Sequence, residues 1–370
     1  MKKLKVIISG GGTGGHIFPA IAIANTIKER YPDAEILFVG ATGRMEMERI
    51  PAAGYEIVGL EISGLDRKKP FRNISVVWKF CKSLRIAGQI LKQFQPDMVI
   101  GVGGYASGPV LYKANALKIP TLVQEQNSYA GITNKFLGKK ASAVCVAYEG
   151  MERFFPKEKI ALTGNPCRQE LLSKTITKEE ACLEFDLDPA KKTILLIGGS
   201  LGSRMLNNSL FSAMEAISAS DIQVVWQCGK LYFSELNTDM SSLGNPPNVH
   251  IYEFISRMDL AYKVADLVIS RAGAGSISEL SLLGKPTILV PSPNVSEDHQ
   301  TKNAMALVAR NAAILIKDDE AMEKLTPVAL ETIQDNEKLE ALSANILKMA
   351  QADSANRIVN EMIKLIKKNE

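Results

Sequence analysis

Gly10, Gly12 and Gly15 stand at the spacing G-x-G-x-x-G, and His16 follows directly. The stretch SGGGTGGHIFPA (9–20) comes just after the apolar run Val6-Ile7-Ile8. Glycines let backbone N–H groups approach an anion closely, and a helix starting there adds its positive end. A histidine at the same place brings a group whose ordinary pKa suits proton transfer near neutrality. Three more glycine-rich turns follow apolar runs: GVGGYASGP (101–109), GGSLGS (198–203) and SRAGAGSISE (270–279). One such turn can equally be nothing but a tight corner. Several of them, each after a strand, point to a site for a phosphorylated ligand.

Two common phosphate sites do not fit. A dinucleotide site also needs an acidic residue at the end of the second strand, for the ribose. Here the run 35–39 ends in Gly40-Ala41-Thr42, with Asp33 and Glu35 at its start, so a nicotinamide dehydrogenase ranks low. No G-x-x-x-x-G-K-[ST] and no D-x-D placed for a diphosphate-bound metal occur, so no metal or other cofactor is expected.

Apolar runs alternate with helical patterns through most of the chain. Strands are expected at 5–9, 35–39, 56–60, 98–102, 121–124, 143–147 and 159–162, with amphipathic helices at 18–30 and 73–94. A second series follows at 193–197, 223–226, 250–253, 267–270, 287–290 and 313–316. Such alternation predicts parallel sheets covered on both faces. LKVIISGGGTGG and KTILLIGGSLGS open the two series alike. The chain of 370 residues is therefore read as two doubly wound domains, parted near LTGNPCR (162–168). A last helix, 355–368, has no strand after it.

The bulk properties are ordinary. Hydrophobic residues make up 46% and charged residues 23%, and the net charge of +4 gives no argument for nucleic acid. Cys81, Cys145, Cys167, Cys182 and Cys228 lie far apart, which predicts reduced thiols in a cytoplasmic protein. Lys2 and Lys3 precede an apolar run too short for a signal peptide. No run is long enough to span a bilayer, so any membrane contact is expected to be peripheral.

GGGTGGHIFPA, GVGGYASGP, QEQNSYAGITNK, LTGNPCR, GGSLGS, ISRAGAGSISE and EDHQTKNA occur in the order found in the MurG family, and the resemblance spans nearly the whole chain. These are the UDP-N-acetylglucosamine:lipid I N-acetylglucosaminyltransferases of bacterial peptidoglycan synthesis. The resemblance implies an α/β chain of GT-B architecture, two Rossmann-like doubly wound domains facing across a deep cleft. It places an acceptor and membrane-facing domain at 1–164, joined by the C-terminal helix 353–370, and a UDP-GlcNAc-binding domain at 165–352. The partners implied are UDP-GlcNAc, lipid I and the anionic surface at the cytoplasmic face of the inner membrane. Other cell-wall synthesis proteins are further candidates.

The resemblance also implies roles. Donor-binding positions are Thr13, Gly14, Gly15, Asn127, Arg168, Ser200, Ile255, Ala274, Gly275, Ser276, Ile277, Ser278, Glu279 and Gln300. Among them, backbone beside Phe254-Ile255 reads the uracil and Glu279 holds the ribose hydroxyls. Amides near Gly275 and Ser276, with Ser200 and Arg168, meet the phosphates. Gln300 meets the sugar; His299 before it departs from the second glutamine that family members often carry. The acceptor falls to Gly103, Gly104, Tyr105 and Ser107. The reaction inverts an α-linked donor to a β-linked product, which needs a base: His16 first, Glu125 as rival. On helix 73–94, Ile74, Trp78, Lys79, Phe80, Lys82 and Arg85 are the expected membrane contacts, with Arg67, Lys68, Lys69 and Arg72 just before. Two alternatives stay open: another GT-B UDP-sugar transferase, or a non-catalytic nucleotide-sugar-binding protein.

Overall fold

The computed structural model describes residues 3–64, 73–167, 171, 176–199 and 201–369. By its contacts the chain divides into a first unit, Met1–Cys167 with Gln351–Glu370, and a second, Arg168–Ala350.

The first unit carries β1 (Lys5–Gly10), β2 (Glu35–Ala41), β3 (Glu56–Leu60), β4 (Met98–Gly103), β5 (Thr121–Glu125), β6 (Ala143–Val146) and β7 (Ile160–Leu162). They form one parallel sheet in the order β3-β2-β1-β4-β5-β6-β7. Between them lie α1 (Gly14–Arg30), α2 (Glu46–Ala52), α3 (Asn73–Phe94), α4 (Ser107–Ala116) and α5 (Ile132–Gly138). The sheet is covered on both faces, which is why its strands are apolar throughout. Val6 and Ile8 pack with Ile17, Ile23 and Ile27 of α1; Ile7 points the other way, toward Ala87 and Leu91 of α3 and Leu111 of α4.

The second unit repeats the plan with β8 (Thr193–Ile197), β9 (Gln223–Gln227), β10 (Val249–Tyr252), β11 (Leu267–Ser270), β12 (Thr287–Leu289) and β13 (Ile314–Leu315). Their order is β10-β9-β8-β11-β12-β13, again all parallel. Around the sheet stand α6 (Lys178–Phe185), α7 (Arg204–Phe211), α8 (Met214–Ser218), α9 (Phe233–Ser242), α10 (Met258–Val264), α11 (Ala274–Leu283), α12 (His299–Val308), α13 (Ala321–Gln334) and α14 (Asn336–Leu347). The last helix, α15 (Ser354–Asn369), returns to the first unit. There Ile358, Val359 and Met362 are fully buried in the core cluster of α1, and Arg30 Nη1 donates to Asn360 Oδ1 at 2.8 Å.

All the expected strands are present, with ends shifted by two residues at most. One helix begins earlier than expected. The amphipathic pattern predicted a helix over 18–30, but α1 begins at Gly14 with Pro19 inside it. Pro19 lies near the start of α1, where its missing N–H and its ring disturb only the Gly15 carbonyl in the first turn. In the second unit, α7 and α8 follow one another with a break at Ser212-Ala213. There the Ser209 hydroxyl donates to Met205 O and the Ser212 hydroxyl to Ser209 O, offering carbonyls a partner outside the helical ladder.

In each sheet the strand order reverses between two neighbours, β1 and β4 in the first, β8 and β11 in the second. Ligands of doubly wound sheets bind beyond the carboxyl ends of the strands at that point. All four glycine-rich turns leave from these four strands.

Candidate active site

In the first unit the turns after β1 and β4 lock together. Gly11 N–H donates to Gly103 O at 3.3 Å. Gly104 has φ +85, and a Cβ there would stand 2.4 Å from Gly11 O. Only a glycine satisfies both the backbone angle and that approach. The next residues, Thr13, Gly14 and Gly15, open α1; their amides point out of the helix start, where no intrahelical acceptor exists. His16 stands in this first turn. Its Nδ1 lies 3.1 Å from Thr13 Oγ1, and its ring covers Gly103 so closely that a Cβ there would be 2.8 Å from Nε2. A proton on Nδ1 would donate to Thr13 and leave Nε2 basic. Ser107 opens α4, and its hydroxyl donates to Gly104 O at 2.9 Å, closing the second turn. Tyr105 is half-exposed, with its ring over Gly64.

Glu125 ends β5 and is buried. Its Oε1 accepts from Asn127 N–H at 3.0 Å and Asn127 Nδ2 at 3.1 Å; Oε2 accepts from Gly131 N–H at 3.1 Å and Asn134 Nδ2 at 2.9 Å. Burial raises its pKa, while these donors pull the other way. Four donors fill the lone-pair directions of one carboxylate. Beneath it, Gln124 Nε2 donates to Asn165 Oδ1 at 3.0 Å, Asn165 Nδ2 to Gln126 O at 2.9 Å, and Gln126 Nε2 to Val102 O at 2.7 Å. This amide network ties the strand ends under the two turns.

In the second unit the turn after β8 runs through Gly198 and Gly199 to Ser203, which caps α7 by accepting from Leu206 N–H at 3.4 Å. Arg271, after β11, reaches across: Nη2 donates to Ser203 Oγ at 2.5 Å, and Nη1 to Val290 O at 3.0 Å and Asp318 Oδ1 at 2.5 Å. Gly273 precedes α11, so the amides of Ala274, Gly275 and Ser276 form its open N-terminus. A Cβ on Gly275 would meet nothing within 4 Å, which leaves room beside those amides. Ser278 donates to Ala274 O at 2.8 Å, and Ile277 is core. Glu279, one turn further, accepts at Oε2 from the hydroxyl of Tyr262 at 3.0 Å. Ile255 is buried, and its N–H donates to Gln227 Oε1 at 2.9 Å, whereas Phe254 is exposed. Gln300 Oε1 accepts from Ser292 N–H at 2.8 Å. Before it, Glu297 (φ +57) and Asp298 (φ +51) are both left-handed without being glycine, a strain characteristic of ligand-binding turns.

Arg67, Lys68, Lys69, Arg72, Arg168 and Ser200 lie outside the described residues, and so does the side chain of Ile74. On the rest of α3, Val77, Trp78 and Phe80 are exposed, while Ala87 and Leu91 are core. Arg85 is exposed and Lys79 partly so. Lys82 Nζ donates to Glu61 Oε2 at 2.8 Å. Exposed Tyr112 of α4 stacks on exposed Phe136 of α5, with Ile132 of α5 also bare, so apolar side chains continue from α3 over its neighbours. Among the described residues no three His, Cys, Asp or Glu side chains group as metal ligands, and no helix is long and apolar enough to cross a membrane.

Residues 6–146 match the glycosyltransferase family 28 N-terminal domain, and 193–358 match the glycosyltransferase family 28 C-terminal domain. A UDP-N-acetylglucosamine--N-acetylmuramyl-(pentapeptide) pyrophosphoryl-undecaprenol N-acetylglucosamine transferase of Phocaeicola vulgatus is 59% identical over 367 residues, 99% of this chain and 98% of that one. The transferase of the same name from Parabacteroides distasonis is 58% identical over the full length of both. The crystal structure of Acinetobacter baumannii MurG superimposes with a TM-score of 0.78 at 27% identity, covering 98% of this chain and 99% of that one. The chain belongs to the MurG family. A UDP-N-acetylglucosamine 2-epimerase structure from Listeria monocytogenes has a TM-score of 0.70 at 14% identity, which extends the likeness of fold alone. Two Rossmann-like units in one chain are the GT-B architecture of the MurG family.

Motif reading singled out residues on the glycine-rich turns and passed over several that hold those turns in place. Glu46, Asn134, Asn165, Tyr262 and Arg271 are the residues it missed. Asn134 reaches Glu125 from nine residues away, and the other four act through bonds between segments 17 or more residues apart, which no spacing pattern announces.

Proposed function

We propose that this chain transfers N-acetylglucosamine from UDP-GlcNAc to the C4 hydroxyl of the muramoyl sugar of lipid I, giving lipid II. The full-length similarity to transferases of that name carries the reading. In the proposed step the C4 oxygen attacks the anomeric carbon from the face opposite UDP. The glycosidic C–O bond breaks with its electron pair leaving on UDP, and the hydroxyl proton passes to a base. His16 is assigned as that base, through Nε2, with Thr13 orienting the ring. Positioned bases contribute about 10²–10⁴ in rate. Glu125 is assigned to holding Asn127, Gly131 and Asn134, because its lone pairs are already engaged.

On the donor side, Glu279 takes the ribose hydroxyls and the N-terminus of α11 the pyrophosphate. Gln300 takes the sugar, and backbone at Ile255 reads the base. Thr13, Gly14, Gly15, Asn127, Ser200 and Arg168 complete the donor set. Gly103, Gly104, Tyr105 and Ser107 meet the acceptor. Departing charge is met by amides and Arg168 without a metal; each such donor is worth roughly 10²–10³ in rate. The protein works at the cytoplasmic face of the inner membrane. It docks through Trp78, Phe80, Lys79, Lys82 and Arg85, with Ile74 beside them, a pattern of apolar side chains with basic flanks.

Incubation with labelled UDP-GlcNAc and a lipid I analogue tests the reading. A β-linked disaccharide formed in the presence of a chelator is expected. Donor turnover with other UDP-sugars but not UDP-GlcNAc would favour another GT-B transferase, and nucleotide binding without any transfer would favour a binding protein.

A further inference from the structure

Gly11 and Gly40 close on one carboxylate. A Cβ on Gly11 would stand 2.3 Å from both Cδ and Oε1 of Glu46, and a Cβ on Gly40 would stand 2.6 Å from Glu46 Cγ. The Glu46 side chain is 1% exposed. Its Oε2 accepts from Gly12 N–H at 2.8 Å, and its Oε1 from Ala41 N–H at 3.0 Å. One buried carboxylate therefore fastens the turn after β1 to the end of β2. A buried charge is tolerated only when hydrogen-bonded, and here the donors are the backbone of the glycine turn itself.

We propose that Glu46 is the positioning residue of the transfer site: by holding Gly12 it sets the amides of Thr13–Gly15 and the His16 ring. This rests on the transferase reading above. The first part of the turn is held from both sides, Gly12 by Glu46 and Gly11 by Gly103. What the turn can offer a ligand begins at Thr13. His16 stands three residues further along, braced on Thr13 and Gly103, so a displaced Gly12 moves the base directly. The central glycine of the dinucleotide-like pattern already gives its amide to Glu46, five positions beyond β2. A dinucleotide pyrophosphate would have to displace it.

Glu46→Gln keeps the volume and puts an NH₂ group against an N–H donor. The expected result is a ten- to hundred-fold fall in kcat, the scale of a small misplacement of reacting groups, with a smaller loss of UDP-GlcNAc affinity because Thr13–Gly15 belong to the proposed donor set. Hydrogen exchange of the peptide 9–17 should quicken at least tenfold, with peptides of the second unit unchanged. Gly40→Ala leaves Glu46 in the chain but drives a Cβ into it, and should produce the same split if Glu46→Gln does not fold. Wild-type kcat in both variants, or unaltered exchange over 9–17, overturns the proposal. Absence of transfer by the wild-type protein would remove the transferase reading, while the exchange measurement would still decide what Glu46 holds.

Discussion

The hydroxyl of Tyr262 donates to Glu279 Oε2 at 3.0 Å, joining α10 to α11. Tyr262 is 2% exposed, so this bond is made inside the protein and aims the carboxylate. Glu279→Ala should weaken UDP-GlcNAc binding roughly ten- to hundred-fold, the worth of hydrogen bonds to a charged group. Tyr262→Phe should raise the donor KM less, by about three- to ten-fold, and leave kcat near wild type. In the double variant the loss should equal that of Glu279→Ala alone. Donor titration calorimetry checks this; additive losses would mean that Tyr262 acts elsewhere.

His16→Ala should lower kcat by roughly 10²–10⁴ without lowering the melting temperature, because the ring lies partly exposed on a glycine turn. Glu125→Gln should do the reverse. An NH₂ group would face the donors of Asn127, Gly131 and Asn134, costing about 1–3 kcal/mol of stability. Thermal melts beside transfer assays separate the two. A folded Glu125→Gln protein with kcat lowered as far as that of His16→Ala would return the base role to Glu125.

Charge reversal on α3 tests the membrane face. Lys79→Glu, Lys82→Glu and Arg85→Glu together should weaken binding to anionic vesicles by at least about a hundred-fold, at about 1 kcal/mol per surface cation lost. Lys82 alone should contribute least, since Glu61 already pairs with it. UDP-GlcNAc affinity should not change. Vesicle sedimentation at several salt concentrations measures this, and undiminished binding would exclude the surface.

His250 gives the stability a pH dependence. Burial pushes its pKa below the ordinary histidine value, so the native ring stays neutral where the unfolded chain takes up a proton. Its contribution is fully present above about pH 6.5 and is lost as pH falls from there through the lowered native pKa. His250→Phe should therefore flatten the decline in denaturant midpoint between about pH 7 and 5. An unchanged slope would show that other groups set it.

Much of this protein is written locally. Continuous apolar runs such as 193–197 mark strands buried on both faces, and alternation with helical patterns dictates two parallel sheets. The four glycine turns could be found because the need for a backbone without Cβ is a property of one position. His16 and Glu279 became candidates because they sit beside such turns, and because the ordered motifs resemble a family. What the tertiary structure alone decided are the bonds that cross the chain. Glu46 reads as an ordinary helix residue until β2 lies beside β1 and brings Gly12 to its carboxylate. Arg271 reads as a charge after a strand until β8, β12 and Asp318 converge on it. Glu125, the rival to His16 in the sequence, is buried with four donors on its carboxylate, a saturation that only the folded chain displays. Residue type and spacing are local quantities, whereas desolvation and hydrogen-bond saturation depend on which distant segments the sheet order places side by side.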